Sequence, residues 1–305
     1  APRVLVIRDT RESGPALARA LAAGAAGAGA AVTDGGVLPT PAAPLFLTQG
    51  RFDLAAVVSA SHNPYEDNGI KLFGPGGFKI GDVQETAIEA AVLEGAPVAE
   101  DASDPVAVTS ALGADYVETL RERFAGLDLT GRRFGLDCAH GATFAVAPAV
   151  FRALGAVVEV IGDAPDGRNI NAGVGSTHPE PLQQLVAERG LEAGFAFDGD
   201  GDRLIAIGAD GRIVDGDMLI ALMALSLHAG GRLTGDGVAV TVMSNLGFHR
   251  AMETAGIAVA TTAVGDRHVL EELRARGWRL GGEQSGHIID LDLVPSGDGI
   301  GSALL

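Results

Sequence analysis

The sequence predicts an α/β protein made of three consecutive related α/β domains with mixed, mainly parallel sheets. Short β-branched runs alternate with helical patterns along almost the whole chain, the signature of βαβ units. The length of 305 residues suggests two or three domains at ~100–200 residues each. The alternation falls into three blocks of similar size, 1–127, 128–213 and 214–305, without a strict sequence repeat.

The first block opens on a strand near Val4–Ile7. The apolar stretch Pro15–Val32 is Ala/Gly-rich and carries Arg19. Ala and Gly drive membrane insertion weakly, so it reads as a packed surface helix near Gly14–Ala28 and a following strand. A strand near Leu54–Val58 precedes Ile70–Phe73 and Phe78–Ile80, which read as a short hairpin around Gly74–Gly77. Helices near Val83–Leu93 and Ser110–Arg123 follow, with Ala99–Pro105 as exposed connecting chain. The second block reads as strand Arg133–Asp137, helix Phe144–Leu154, strand Val157–Ile161, helix Glu180–Arg189 and strand Gly194–Phe197. It closes on a hairpin, Leu204–Ile207 with Arg212–Val214. The third block gives helix Asp217–Leu227, strand Val238–Val242, helix Leu246–Ala255, strand Ile257–Thr262 and helix Arg267–Arg276. Strand-like pieces flank Gly281–Gly286, and the last residues look like the start of a helix.

Aromatics are only 5% of a chain that is 47% hydrophobic, so the cores must be built from Ala, Val, Leu and Ile. The 44 glycines permit close backbone packing and loops that approach a ligand. A net charge of −17 argues against nucleic acid as a partner. It leaves room for a small anionic substrate, whose local field a few cations or a metal can reverse. The single cysteine, Cys138, cannot form an intramolecular disulfide. That fits a reducing compartment, and the expectation is a cytoplasmic protein without membrane association.

Three loops carry the chemistry. Ser59-Ala60-Ser61-His62-Asn63-Pro64 directly follows an apolar strand, where ligand loops of α/β proteins sit. A serine there can carry a covalent group if its hydroxyl faces a cleft, and an ordinary polar turn is the rival reading. Asp198-Gly199-Asp200-Gly201-Asp202-Arg203 follows the next such strand. Three glycine-spaced carboxylates repel one another unless a cation sits between them, and hard oxygen ligands suit Mg²⁺. An EF-hand would need Gly at the sixth position and Glu at the twelfth, where Arg203 and Ala209 stand. The third loop, Gly281-Gly282-Glu283-Gln284-Ser285-Gly286-His287, offers groups that hydrogen-bond sugar hydroxyls and handle protons. Alone it reads as well as a helix-breaking turn.

Together with Asp9-Thr10-Arg11, Val37–Pro41, Asn68–Lys71, Asp137–Ala142 and Val264-Gly265-Asp266-Arg267, these loops occur in the order found in the α-D-phosphohexomutases, and the chain resembles that family along nearly its whole length. Ser-Ala-Ser before His62 and the Gly-Glu-Gln-Ser-Gly-His run resemble its amino-sugar branch. The resemblance implies an isomerase interconverting glucosamine 6-phosphate and glucosamine 1-phosphate, with glucosamine 1,6-bisphosphate as intermediate and activator. It also implies a homodimer and a role in cell-envelope amino-sugar synthesis. A phosphomannomutase or phosphoglucomutase is the alternative within the class, and a non-catalytic sugar-phosphate-binding protein the alternative outside it.

By the same resemblance Ser61 would be the phosphorylated serine and would share one Mg²⁺ with Asp198, Asp200 and Asp202. Arg11 and Arg203 would stabilise charge on the transferring group. Lys71 would act near the reacting oxygen, either electrostatically or in proton transfer, with His62 and His287 among the catalytic groups and His287 a candidate acid/base. Glu283, Ser285, Gly265, Asp266 and Arg267 would bind the sugar phosphate. The family's N-terminal Gly-Thr-Asp-Gly segment and its fourth domain are not found in these residues, so the 305 residues alone are expected to bind metal yet catalyse poorly.

Overall fold

In the computed structural model, which describes residues 1–95 and 107–305, each block builds one sheet; the stretch Ala99–Pro105 lies outside the described residues. The first runs β1 (Arg3–Arg8), α1 (Gly14–Gly27), β2 (Ala31–Val37), α2 (Ala42–Thr48), β3 (Leu54–Val58), β4 (Ile70–Phe73), α3 (Asp82–Leu93) and α4 (Ala111–Arg123). The second runs β5 (Arg133–Asp137), α5 (Val146–Ala153), β6 (Val157–Ile161), α6 (Glu180–Arg189), β7 (Ala193–Phe197), β8 (Leu204–Gly208) and β9 (Ile213–Val214). The third runs α7 (Gly216–Ala229), β10 (Gly237–Thr241), α8 (Leu246–Ala255), β11 (Ala258–Thr262), α9 (Asp266–Arg276), β12 (Leu280–Gly282), β13 (Ile288–Asp290) and α10 (Gly299–Leu304).

The strand orders are β2-β1-β3-β4, β6-β5-β7-β8-β9 and β11-β10-β12-β13. In every sheet the first strand is flanked in parallel by the second and third, and the fourth runs antiparallel to the third. The three blocks therefore repeat one topology without repeating a sequence. All three chemistry-bearing loops occupy the same place in it: each leaves the carboxyl end of the third strand, from Val58, Phe197 or Gly282.

Sequence explains the packing. Along α1 the buried positions are Gly14, Ala18 and Ala22, one small residue per turn, so the helix lies close on Val4, Val6, Ala56 and Val58. α6 and α9 cover the outer faces of the second and third sheets with Leu182 and Val186, and with Val269 and Leu273. The inner faces share one core containing Leu5, Phe46, Tyr116, Phe151, Phe197, Ile220 and Ile300.

Two local features extend the sequence reading. Ile70–Phe73 pairs with β3 on one side and, across the Gly74–Gly77 turn, meets Phe78–Ile80 in a short antiparallel pairing. Gly74 N–H donates to the Phe78 carbonyl at 2.8 Å and Ile80 N–H to the Leu72 carbonyl at 3.0 Å, so the expected hairpin is there as an extension of the sheet edge. A short 3₁₀ turn at Pro75–Gly77 reverses the chain between the two segments. The seven-residue α2 went unforeseen because six of its residues are buried, which erases helical periodicity.

Tyr116 on α4 reaches Asp298, the N-cap of α10, donating to its two carboxylate oxygens at 3.1 and 3.0 Å inside this core. Burial pushes the Asp298 carboxyl up to about 6, against hydrogen bonds from Gly301 N–H, Tyr116 and Ile300 N–H. A carboxyl raised on folding contributes stability that is full below its unfolded value, near 3.8, and is lost as pH rises through about 6. Asp298→Asn, which keeps an acceptor for Tyr116, should therefore flatten the loss of stability between pH 4 and 7 by about 2 kcal/mol relative to the unmodified protein. Denaturant titrations at those two pH values measure it.

Candidate active site

The Ser61 loop is held under backbone strain. Ser61 has φ 51°, a left-handed conformation that costs a non-glycine residue roughly 1–2 kcal/mol. Its surroundings impose it. Ser59 Oγ donates to Asp9 Oδ2 at 2.6 Å and accepts from Ser61 N–H at 2.9 Å. Asn171, on a loop of the second block, donates from Nδ2 to the carbonyls of Ser61 (2.9 Å) and Asn63 (3.0 Å).

Arg11 completes the loop from below, fully buried. Its Nε donates to Asp9 Oδ2 at 2.8 Å, Nη1 to the carbonyls of Pro64 and Asp67, and Nη2 to those of Ser61 and Asn63. A guanidinium has five N–H donors, and all are committed. Arg11 thus shapes the serine loop, and any action on a transferring group would be through its charge rather than by a hydrogen bond.

The triple-aspartate loop closes over this one. A side chain at Gly199 would stand 2.6 Å from Ser61 O and 2.8 Å from Asn171 Nδ2, so only glycine lets the two loops meet. Asp198, Asp200 and Asp202 are all buried, and each offers an oxygen within 4.8 Å of the others; among the described residues this is the one such cluster. Ser61 Oγ donates to Asp198 Oδ2 at 2.5 Å. Lys71, on β4, places Nζ 2.6 Å from Asp200 Oδ2 and 3.0 Å from Asp202 Oδ2. The Thr40 hydroxyl also donates to Asp200 Oδ2, and Thr40 N–H to the Asp200 carbonyl at 2.8 Å. Arg203 Nε stands 4.0 Å from Asp202 Oδ1, buried and without a hydrogen-bond partner.

The charges here do not balance. Burial, with Asp202 and Asp200 nearby, holds the Asp198 carboxyl well above the ordinary carboxylate range. Burial also opposes charge on Asp202, but Lys71, His287 and Arg203 outweigh it and hold that carboxyl well below. Desolvation likewise disfavours the Lys71 ammonium, but Asp200 and Asp202 outweigh it and raise its pKa. Asp200 Oδ1 and Asp202 Oδ1 remain buried with no hydrogen-bond partner. Unpartnered hard oxygens beside a carboxyl that cannot easily ionise are the donor set a divalent cation satisfies, and Mg²⁺ fits it.

The third loop adjoins the second, because Leu204 N–H donates to the Gly286 carbonyl at 3.0 Å. Glu283 Oε1 accepts from Gly265 N–H at 3.0 Å, and Ser285 is exposed. The other predicted groups lie differently from expectation. His287 is buried: Nε2 accepts from Gly297 N–H at 3.1 Å and Nδ1 lies 3.5 Å from Asp202 Oδ1. Asp266 pairs with Lys79, while Arg267 pairs with Asp82 and Glu85 and donates to the Ile80 carbonyl at 3.2 Å. His287, Asp266 and Arg267 each contact another block, and Asp266 and Arg267 also line a cavity that Lys71 and Lys79 reach. His62 is exposed, with Nδ1 3.4 Å from Ser61 Oγ. Burial lowers its pKa, Arg203 adding to the effect, so the ring is neutral near pH 7. Thr40, Asn171 and Asp9 had been given no role from sequence.

Family models of "Phosphoglucomutase/phosphomannomutase, alpha/beta/alpha" domains I, II and III match residues 1–98, 114–211 and 215–305. Phosphoglucosamine mutase of Geobacillus kaustophilus is 48% identical over 313 residues, spanning 99% of this chain and 68% of the relative. The phosphoglucosamine mutase of Azoarcus sp. is 49% identical over 306 residues, spanning 99% and 67%. A crystal structure of a phosphoglucomutase/phosphomannomutase family protein from Burkholderia thailandensis superposes with a TM-score of 0.85 at 29% identity, covering 100% of this chain and 67% of that one.

Two measurements probe this geometry. Asp200→Asn should weaken Mg²⁺ binding by more than roughly 10-fold in a calorimetric titration, since it neutralises an unpartnered ligand oxygen's carboxylate. Asn171→Ala should leave Mg²⁺ affinity nearly unchanged yet lower kcat by roughly 10- to 100-fold, because the loop that aims Ser61 loses two of its anchors.

Proposed function

From the premise that this chain belongs to the phosphoglucomutase/phosphomannomutase family, we propose that it interconverts glucosamine 6-phosphate and glucosamine 1-phosphate through a phosphoserine at Ser61. The observation that carries the reading is the 2.5 Å contact of Ser61 Oγ with Asp198 Oδ2, a covalent-carrier hydroxyl seated on the rim of a cation site. The amino-sugar substrate is supported by relatives named phosphoglucosamine mutase that match along 99% of the chain. A cytoplasmic setting is supported by the buried free thiol of Cys138. Among the described residues no helix is long and apolar enough to cross a membrane.

The geometry supports a division of labour. Asp198, Asp200 and Asp202 would hold Mg²⁺ together with an oxygen on Ser61. A bound Mg²⁺ supplies positive charge against the equatorial oxygens of the transferring phosphoryl group. The bond between phosphorus and Ser61 Oγ breaks as a bond to the sugar's 1- or 6-oxygen forms, and the sugar hydroxyl gives up its proton. Neutral His62, exposed beside Ser61, is placed to take that proton. Lys71, doubly paired with carboxylates, acts through its charge. Arg203, whose Nε has no hydrogen-bond partner, is placed to contact the phosphoryl oxygens. Glu283 and exposed Ser285 bind sugar hydroxyls. After the bisphosphate turns over, Ser61 takes back the other phosphoryl group.

Incubating the intact protein with a hexose 1,6-bisphosphate should add one phosphate, mapping to Ser61 by mass spectrometry. Ser61→Ala should lose that adduct and at least about 1,000-fold in turnover. Glucosamine 1-phosphate should turn over faster than glucose or mannose 1-phosphate. An unmodified Ser61 after that incubation favours a non-catalytic sugar-phosphate binder, and the reverse order of substrates favours the sibling mutases.

A further inference from the structure

We infer that Lys79 is a positioning residue for the cleft, acting through Asp266 and His287 on Asp202; the inference rests on the mutase reading given above. Lys79 lies on the segment that follows β4 at the edge of the first sheet, and its ammonium pairs with Asp266 at the first position of α9 in the third block. The same Asp266 Oδ2 lies 3.6 Å from His287 Nε2, and His287 Nδ1 lies 3.5 Å from Asp202 Oδ1.

The imidazole stands between two carboxylates, and its orientation decides which one it serves. Gly297 N–H donates to Nε2 at 3.1 Å, so in the neutral ring the proton resides on Nδ1 and faces Asp202. Asp266 receives no proton from that ring, and its charge must be met from elsewhere. Lys79 meets it. Without this ammonium, Asp266 would draw the ring or turn away, and either movement releases the imidazole edge that lies against Asp202. Asp266 also follows Gly265, whose N–H holds Glu283 Oε1 at 3.0 Å. One ion pair contributed by the first block thus fixes the first turn of α9, and with it both the cation-binding carboxylate and the sugar-binding one. The His287–Asp202 approach at 3.5 Å is a charge–dipole contact rather than a hydrogen bond, and outer groups that orient metal ligands are typically worth ~10- to 100-fold in metal affinity or activity.

The test uses the intact protein and the variants Lys79→Met, Lys79→Arg, Asp266→Asn and the Met/Asn double. Lys79→Met should weaken Mg²⁺ binding about 10-fold by calorimetry. It should also raise KM for glucosamine 1-phosphate by a greater factor than it lowers kcat, while Lys79→Arg stays near the unmodified values. The double variant should be no worse than the worse single one, because the two residues act as one unit. Lys79→Met with unmodified Mg²⁺ affinity and KM overturns the inference. So does a double variant whose losses multiply, or Lys79→Arg behaving like Lys79→Met. If the unmodified protein turns over no hexose phosphate, the mutase reading falls, and the calorimetric comparison still decides the role of Lys79.

Discussion

Three carboxylates buried within 4.8 Å of one another are the constraint around which the rest of the molecule is arranged. Like charges in a medium of reduced dielectric repel by several kcal/mol, so such a cluster exists only where cations and donors surround it. The surroundings come from every block. Thr40, Ser61 and Lys71 approach from the first sheet and His287 from the third. No single domain could supply that set, which is why the site lies where the three meet. The glycines between the aspartates answer the same demand, since a side chain at Gly199 would push the serine loop away.

Repetition of one strand order solves the assembly problem. Each sheet ends its third, parallel strand and must turn back to lay its fourth strand antiparallel, and that return loop carries the chemistry in all three blocks. Strand ends in α/β sheets present loops to a crevice as a matter of topology. Packing the inner faces of three such sheets into one core brings three equivalent loops to one place, where each contributes a different part: the Ser61 hydroxyl, the three aspartates, and the Glu283 and Ser285 side chains.

Sequence reading reached the elements that announce themselves locally. The run Asp198–Asp202 was legible because glycine-spaced carboxylates after an apolar strand have few other uses, and Ser61 because a polar loop followed an apolar strand. Asn171 and Thr40 were not, because their partners lie 110 and 160 residues away and nothing in their own neighbourhood marks them. Arg11 was only half legible: its charge is visible in the sequence, whereas the five acceptors that take its donors are set by the fold of the serine loop. The ion pairs of Asp266 and Arg267 with Lys79, Asp82 and Glu85 were likewise not legible, since they depend on how the third block docks on the first.

The shared core joining the inner faces of all three sheets has a mechanical consequence. Close-packed interiors resist gradual deformation, so the span from Ser61 to Glu283 is set when the chain folds and does not act as a hinge between these blocks. For any ligand held between the two loops, a change of orientation would therefore be made by the ligand and not by these blocks shifting past one another.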